Sequence, residues 1–283
     1  MSEAAEIIAQ GPGTTDYIIV ERRGNAVHLT MNYPQARNAL SQPETFFLAD
    51  QLERAAADDS VRLVVLRGAD GHFSAGGRVD SFGKTAPPGE ETLSAEEKTE
   101  RRVQRLIRCG DVSMQLYRMP KPTVALVRGA AAGVGMTFAM ACDFRLASDT
   151  ALFTTAFARV GVSGDMGSSL ILQSRFGPAL ARELLFLSDK IPAEKALEIG
   201  LVNRLYPDVR FEAEADAFLQ RLLDGPPLAY AAFKRNLIAA AEGTVAEALE
   251  IEARNMVRTL ESADCREAAI SFKERRAPTF NGK

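Results

Sequence analysis

The chain has 283 residues, of which 46% are hydrophobic and 25% charged, and a formal net charge of -3. That length and balance are enough for one large buried core without a second domain, and the slight negative charge excludes a general nucleic-acid binder. Three cysteines, Cys109, Cys142 and Cys265, have neither metal-ligand nor redox spacing, so they read as reduced thiols of a cytoplasmic protein with no metal.

Residues 1–14 have no basic start and no long apolar run, and read as a loose tail, neither a signal peptide nor a membrane anchor. Tyr17 to Glu21 and Ala26 to Met31 read as strands around Arg22-Arg23-Gly24-Asn25, a hairpin signal. A helix is expected from about Pro43 to Ala57, followed by a buried strand over 61–66 that ends in the turn Gly68-Ala69-Asp70-Gly71. Residues 80–93, with two adjacent prolines and few apolar side chains, read as a mobile surface segment. Ser94 with Glu97 makes a capping box for a long helix ending near Arg118. The apolar run 122–127 is a strand, Val134 to Ala141 a helix, and 143–147 and 152–155 short strands. From Asp189 onward the pattern is mostly helical. Pro192 to Ile199 is closed by Gly200, Phe211 to Leu223 is stopped by Gly225-Pro226-Pro227, Leu228 to Ala241 follows, and Thr244 with Glu247 caps the next helix. Alternating strands and helices followed by helices alone predict an α/β core over 15–205 and a helical extension over 206–283.

Two glycine-rich segments carry the chemistry. Phe73-Ser74-Ala75-Gly76-Gly77-Arg78-Val79-Asp80 follows the strand at 61–66, and Gly129-Ala130-Ala131-Ala132-Gly133-Val134-Gly135-Met136 follows the strand at 122–127. Small residues there let a ligand approach bare backbone, and the second segment opens a helix whose N-terminal N–H groups favour negative charge. Either segment alone is better explained as a tight strand-to-helix turn packed against a neighbour. Paired in order after two strands, they can place two N–H donors at one point, as an enolate oxygen formed from a thioester requires.

These segments, with Arg37-Asn38-Ala39-Leu40, Cys142-Asp143, Gly200-Leu201-Val202-Asn203 and Phe272-Lys273-Glu274-Arg275-Arg276, give the chain a resemblance to the crotonase superfamily, the enoyl-CoA hydratase and isomerase family, along nearly its whole length. The resemblance implies a spiral of β-β-α turns and a C-terminal helical extension that builds a homotrimer or a dimer of trimers. It implies an acyl-CoA thioester as substrate, coenzyme A being part of that substrate and no separate cofactor being needed, with no nucleic-acid or membrane partner. It makes the N–H groups of Gly77 and Val134 the oxyanion hole. It assigns substrate contacts to Ala36, Arg37, Ala75 and Gly76, and to Arg275 reaching a neighbouring subunit's ligand. A solvated helix face explains Arg275 equally well. The motif set marks the superfamily and leaves the reaction open.

At the two positions where hydratases of this kind carry glutamates, this chain has Thr137 and Phe157, which the resemblance places in the pocket wall. Water addition needs a base for the water and an acid for the α-carbon, and neither residue supplies one. Asp165, in Gly161-Val162-Ser163-Gly164-Asp165-Met166-Gly167, occupies the position of the proton-carrying aspartate in the epoxyphenylacetyl-CoA and dienoyl-CoA types of isomerase. A single carboxylate suits a double-bond shift, and apolar neighbours such as Phe157, Met166 and Phe138 would raise its pKa. The competing reading of Asp165 is a cap on a helix starting near Ser168. At the level of the whole chain, a hydratase of atypical mechanism and a non-catalytic acyl-CoA binding protein compete with the isomerase. A dehalogenase, with Asp165 as nucleophile, lacks the tryptophan such relatives use. Ser163, Ser168 and Ser169 have no histidine placed to activate them, His72 reads as a turn residue, and Arg78 stands where many relatives have aspartate, within reach of Asp80.

Overall fold

The computed structural model describes residues 17–78 and 89–283, together with the backbone of Glu6 and Ile7. Strands β1 (Glu6–Ile7), β2 (Ile18–Arg23), β3 (Ala26–Met31), β4 (Leu63–Gly68), β5 (Thr123–Val127), β7 (Phe144–Ser148) and β10 (Arg204–Tyr206) form one sheet in the order β1-β2-β3-β4-β5-β7-β10. The pairs from β3 to β10 are parallel, and β5 is buried along its whole length between layers, as the unbroken apolar run 123–127 requires. A second sheet is built from β6 (Ala130–Ala132), β8 (Leu152–Thr154) and β9 (Ile191–Pro192). Successive turns therefore run strand, short strand, helix. β5 and β6 lead into α4 (Val134–Ala141), and β7 and β8 lead into α5 (Ser168–Leu187). Ser74 makes an isolated parallel bridge to Ala131, so the chain after β4 enters the small sheet in the same way. The result is a mixed α/β fold, a spiral of β-β-α turns followed by C-terminal helices.

Several expectations are corrected. The hairpin strands extend to Arg23, which pairs with Ala26, leaving Gly24 (φ 57°) and Asn25 as a two-residue turn. In the segment expected as a loose tail, Glu6–Ile7 add to the open edge of β2; its other residues, and positions 79–88 of the expected surface segment with Asp80, lie outside the described residues. The single long helix after Ser94 is two helices, α2 (Ala95–Cys109) and α3 (Asp111–Arg118), although the Ser94–Glu97 capping box forms as read. They part at Gly110, whose N–H goes to the carbonyls of Leu106 and Ile107 at the end of α2. The helix expected to begin near Ser168 does so, and is broken at Gly177 (φ 78°) before Pro178. Helix α1 (Gln42–Ala57), α6 (Ala193–Glu198), α7 (Phe211–Leu223) and α8 (Pro227–Glu242) fall where the sequence puts them, within a residue or two; α9 (Val245–Leu260) begins at its expected cap, and α10 (Ala263–Glu274) follows it.

The C-terminal helices are tied to the core by polar contacts, one buried and one at the surface. Lys234 of α8 is buried and donates from Nζ to Asp143 (2.7 Å) and to the carbonyls of Leu116 (2.8 Å) and Lys121 (3.2 Å). Arg67, near the end of β4, holds both oxygens of Glu212 in α7 at 2.6 and 3.0 Å.

Beneath α7, His28 of β3 is buried with no partner for Nδ1 among the described residues. Burial first, then the nearby Arg23 and Arg67 cations, hold its pKa down at about 4, against a smaller opposing pull from Glu212. The imidazole is therefore neutral in the native state, while an unfolded chain takes up the proton near pH 6.5. Its contribution is complete above pH 6.5 and is lost as pH falls towards 4, roughly 2 kcal/mol of it by pH 5. Urea unfolding at pH 7.5 and 5 is expected to show His28→Gln losing less stability over that interval than the wild type. Equal losses would refute the assignment.

Candidate active site

The two glycine-rich segments meet side by side at the ends of adjacent parallel strands. Ser74 donates its N–H to Ala130 O (2.8 Å), and Ala132 donates back to Ser74 O (2.9 Å). Gly77 and Val134 each lie three residues beyond this bridge, on neighbouring strands running the same way. Among the described residues no protein acceptor takes the N–H of either Gly77 or Val134. Val134 is the first residue of α4, whose eight residues are all buried, so its N–H belongs to a helix terminus that favours negative charge. Two glycines make this approach possible. Gly76 has φ 97° and a Cβ there would lie 2.7 Å from Ala132 O, while Gly133, the N-cap of α4, has φ 53° and ψ −127°, a conformation side chains exclude.

The first segment is held from below by Asn38. It is wholly buried and has φ 58°; its Oδ1 accepts from Tyr33 N (2.9 Å) and its Nδ2 donates to Ala69 O (2.8 Å) and His72 O (2.7 Å). The Ser74 hydroxyl donates to Asn38 O at 2.8 Å and accepts the Gly76 N–H at 3.1 Å. Sequence reasoning quotes Asn38 within a motif and gives it no role. The signal was its residue type, because asparagine tolerates the left-handed conformation and imitates backbone in turns. Ala36 ends the single 3₁₀ turn Pro34–Ala36, and Arg37, left-handed at φ 50°, accepts the Ala75 N–H at its carbonyl (2.8 Å). Ala36, Arg37, Ala75 and Gly76 thus form one continuous rim. The Arg78 guanidinium stands 5.1 Å from the centre of the Tyr33 ring.

Asp165 lies on a turn with three left-handed residues, Gly164 (φ 88°), Met166 (φ 51°) and Gly167 (φ 78°). Its main-chain carbonyl accepts the Ser168 N–H (3.0 Å), and Gly167 is the N-cap of α5, so the carboxylate does not cap that helix. Among the described residues it is the only carboxylate with a buried oxygen that lacks a hydrogen-bond partner. Burial pushes its pKa up. The buried thiol of Cys109, where α2 meets α3, is pushed up to about 11 by burial first and by the nearby Asp165 charge second.

Phe157 joins the two parts. Its ring lies 3.2 Å from where a Gly164 Cβ would stand and 4.0 Å from where a Gly133 Cβ would stand, so one buried side chain spans the helix cap and the Asp165 turn. Thr137 is buried one turn into α4, and its hydroxyl donates to Gly133 O at 3.4 Å. Arg275 is not part of this group within one chain. It caps the end of α10, exposed at φ 55°, and the tail beyond it places Phe280 O on Arg62, just ahead of β4 and remote from the loop that leaves the other end of that strand.

A model of the family described as enoyl-CoA hydratase/isomerase matches residues 21–283. A protein named "Probable enoyl-CoA hydratase" from Rhodobacter capsulatus is 33% identical over 255 residues, covering 90% of this chain and 94% of its own. The 1,2-epoxyphenylacetyl-CoA isomerase of Escherichia coli is 28% identical over 270 residues, covering 95% and 99%. The crystal structure of an enoyl-CoA hydratase from Polaromonas sp. JS666 superposes with a TM-score of 0.81 at 30% identity, over 93% of this chain and 99% of that one. With the family model spanning both glycine-rich segments, the Asp165 turn and the C-terminal helices, the chain belongs to the enoyl-CoA hydratase/isomerase family of the crotonase superfamily.

Proposed function

We propose that this protein shifts a carbon–carbon double bond in an unsaturated acyl-CoA. The observation that carries the reading is the buried, unpartnered oxygen of Asp165, joined through Phe157 to the Gly133 cap of α4. In the proposed reaction the Asp165 carboxylate takes a proton from the α-carbon of a 3-enoyl thioester. The electron pair moves into the thioester carbonyl, whose oxygen is held as a dienolate by the N–H groups of Gly77 and Val134. The protonated Asp165 then returns the proton to the γ-carbon, leaving the conjugated 2-enoyl thioester. One group serves both steps, and an acid with a raised pKa is suited to giving the proton back. Ala36, Arg37, Ala75 and Gly76 would line the thioester and coenzyme A approach, with Thr137 and Phe157 as the acyl-side wall. Coenzyme A enters as part of the substrate, and the chemistry calls on no further cofactor.

A hydratase is the second reading, favoured by the names of relatives; it would have to activate water without glutamates at positions 137 and 157. Exposed apolar side chains on the late helices, such as Leu237 (69%), Leu249 (63%) and Phe272 (86%), support assembly into the homotrimer or dimer of trimers, in which Arg275 would reach a neighbouring subunit's ligand. No helix among the described residues is long and apolar enough to cross a membrane.

The test is to incubate the protein with a trans-3-enoyl-CoA in deuterated buffer and follow both the conjugated-enoyl absorbance and the deuterium content of the thioester. Conjugation with exchange is expected. A hydroxyacyl product from trans-2-enoyl-CoA without any isomerisation would move the assignment to the hydratase, and binding with neither reaction would move it to a non-catalytic binder.

A further inference from the structure

We infer that His72 is a positioning residue that sets the distance between the two segments carrying the oxyanion donors. In a regular parallel ladder continuing back from the Ser74–Ala131 bridge, His72 would donate to Arg128 O, and Ala130 N–H would donate to His72 O. Neither bond forms. Phe73 gives its N–H to Arg128 O at 2.8 Å, one residue out of step, and His72 O is already occupied by the Asn38 side chain at 2.7 Å. The Ala130 N–H goes instead to the imidazole Nδ1 of His72, at 3.1 Å. A side chain has replaced a main-chain carbonyl in the ladder, and it is the side-chain tie from the first segment to the start of the second.

The second segment is shaped to receive the ring. Gly129 has φ 49°, and a Cβ there would lie 2.5 Å from His72 Nδ1 and 2.3 Å from Gly71 O. The imidazole is thus pressed against the backbone of the turn that leads to Val134. Because Nδ1 accepts, its tautomer is the one with the proton on Nε2. His72 does not touch the place where the reacting atoms would lie. It acts through Ala130, and the slack its loss permits is felt further along, at Gly77 and Val134. A displacement of about 1 Å between donors and substrate can cost on the order of a hundredfold in rate.

This inference rests on the oxyanion reading of Gly77 and Val134, and the experiment separates the two. Asparagine puts Oδ1 close to where Nδ1 stands and keeps the acceptor, whereas leucine has nearly the same size and removes it. For His72→Leu, turnover of trans-3-enoyl-CoA is expected to fall between about tenfold and a hundredfold with KM within about twofold of the wild type. His72→Asn is expected to recover most of the turnover. The second readout needs no turnover. Butanoyl-CoA labelled with ¹³C at its thioester carbonyl, bound at saturation, should show a carbonyl stretch lowered by the paired donors in infrared difference spectra. That shift should shrink in His72→Leu and return in His72→Asn. A full shift and full turnover in His72→Leu overturn the role of His72 and leave the oxyanion hole standing, and equal losses in both variants overturn the acceptor role. No shift in the wild type overturns the oxyanion reading and this inference together. If His72→Leu fails to fold, Gly129→Ala, which drives the ring away, should give the same loss of shift; a full shift there overturns the role.

Discussion

Asp165→Asn is expected to lower turnover by at least about a hundredfold, the low end of what a positioned acid or base contributes, while raising thermal stability at pH 7. Both effects come from one observation. The carboxylate has a buried oxygen with no partner among the described residues, so its ionised form is disfavoured and its pKa is raised. An acid whose folded pKa lies above its unfolded value contributes stability while both states are protonated, and that contribution is lost as pH rises from the unfolded value through the folded one. At pH 7, well above the unfolded value, burying this carboxyl therefore costs stability in the native protein that asparagine does not lose. At pH 3.5 the advantage of the variant should shrink. Melting temperatures at the two pH values, with single-turnover rates on trans-3-enoyl-CoA, check both parts. Had Asp165 been a helix cap, asparagine would cap nearly as well and leave turnover untouched. Unchanged turnover, or a variant less stable at pH 7, would remove Asp165 from the mechanism.

Gly76→Ala is expected to reduce kcat/KM by at least about a hundredfold, as removal of one oxyanion donor does elsewhere. The added methyl would sit 2.7 Å from Ala132 O, and φ 97° lies outside what alanine adopts without strain. Because Ala132 O is main chain, the conflict is relieved only by moving the two segments apart or turning the peptide that carries the Gly77 N–H. Steady-state kinetics with a trans-3-enoyl-CoA, beside a circular-dichroism spectrum showing the fold retained, tests this. Wild-type kcat/KM in a folded Gly76→Ala would mean that charge is not held at this junction.

Helices α4 and α7 were legible to the residue because their ends are set locally, by the Gly133 N-cap in one case and the Gly225-Pro226-Pro227 stop in the other. The Ser94–Glu97 and Thr244–Glu247 capping boxes were readable for the same reason. The break at Gly110 was not, because an isolated glycine in a helical pattern is tolerated inside a helix as well as found at its end. Of the small sheet only β8 was legible, as the short strand expected over 152–155; β6 and β9, three and two residues long, are too short for a periodicity. At the site, the family resemblance supplied Gly77, Val134 and Asp165 as candidates, but burial of Asp165 and the reach of Phe157 across to Gly133 depend on how separate turns of the spiral stack. His72 read as a turn residue, which it is; that its ring stands in for a carbonyl follows from Asn38 having taken that carbonyl first.

The Phe157 ring reaches both the Gly133 cap, beside the proposed main-chain donors, and the turn that carries Asp165. Point mutation can exchange the acid directly, whereas it reaches the main-chain donors only through residues that shape the backbone, such as Gly76. Divergence in such a scaffold should therefore run through positions 137, 157 and 165, producing new reactions on an inherited thioester cradle. Relatives bearing hydratase and isomerase names are 33% and 28% identical to this chain, so overall similarity does not by itself separate the two reactions.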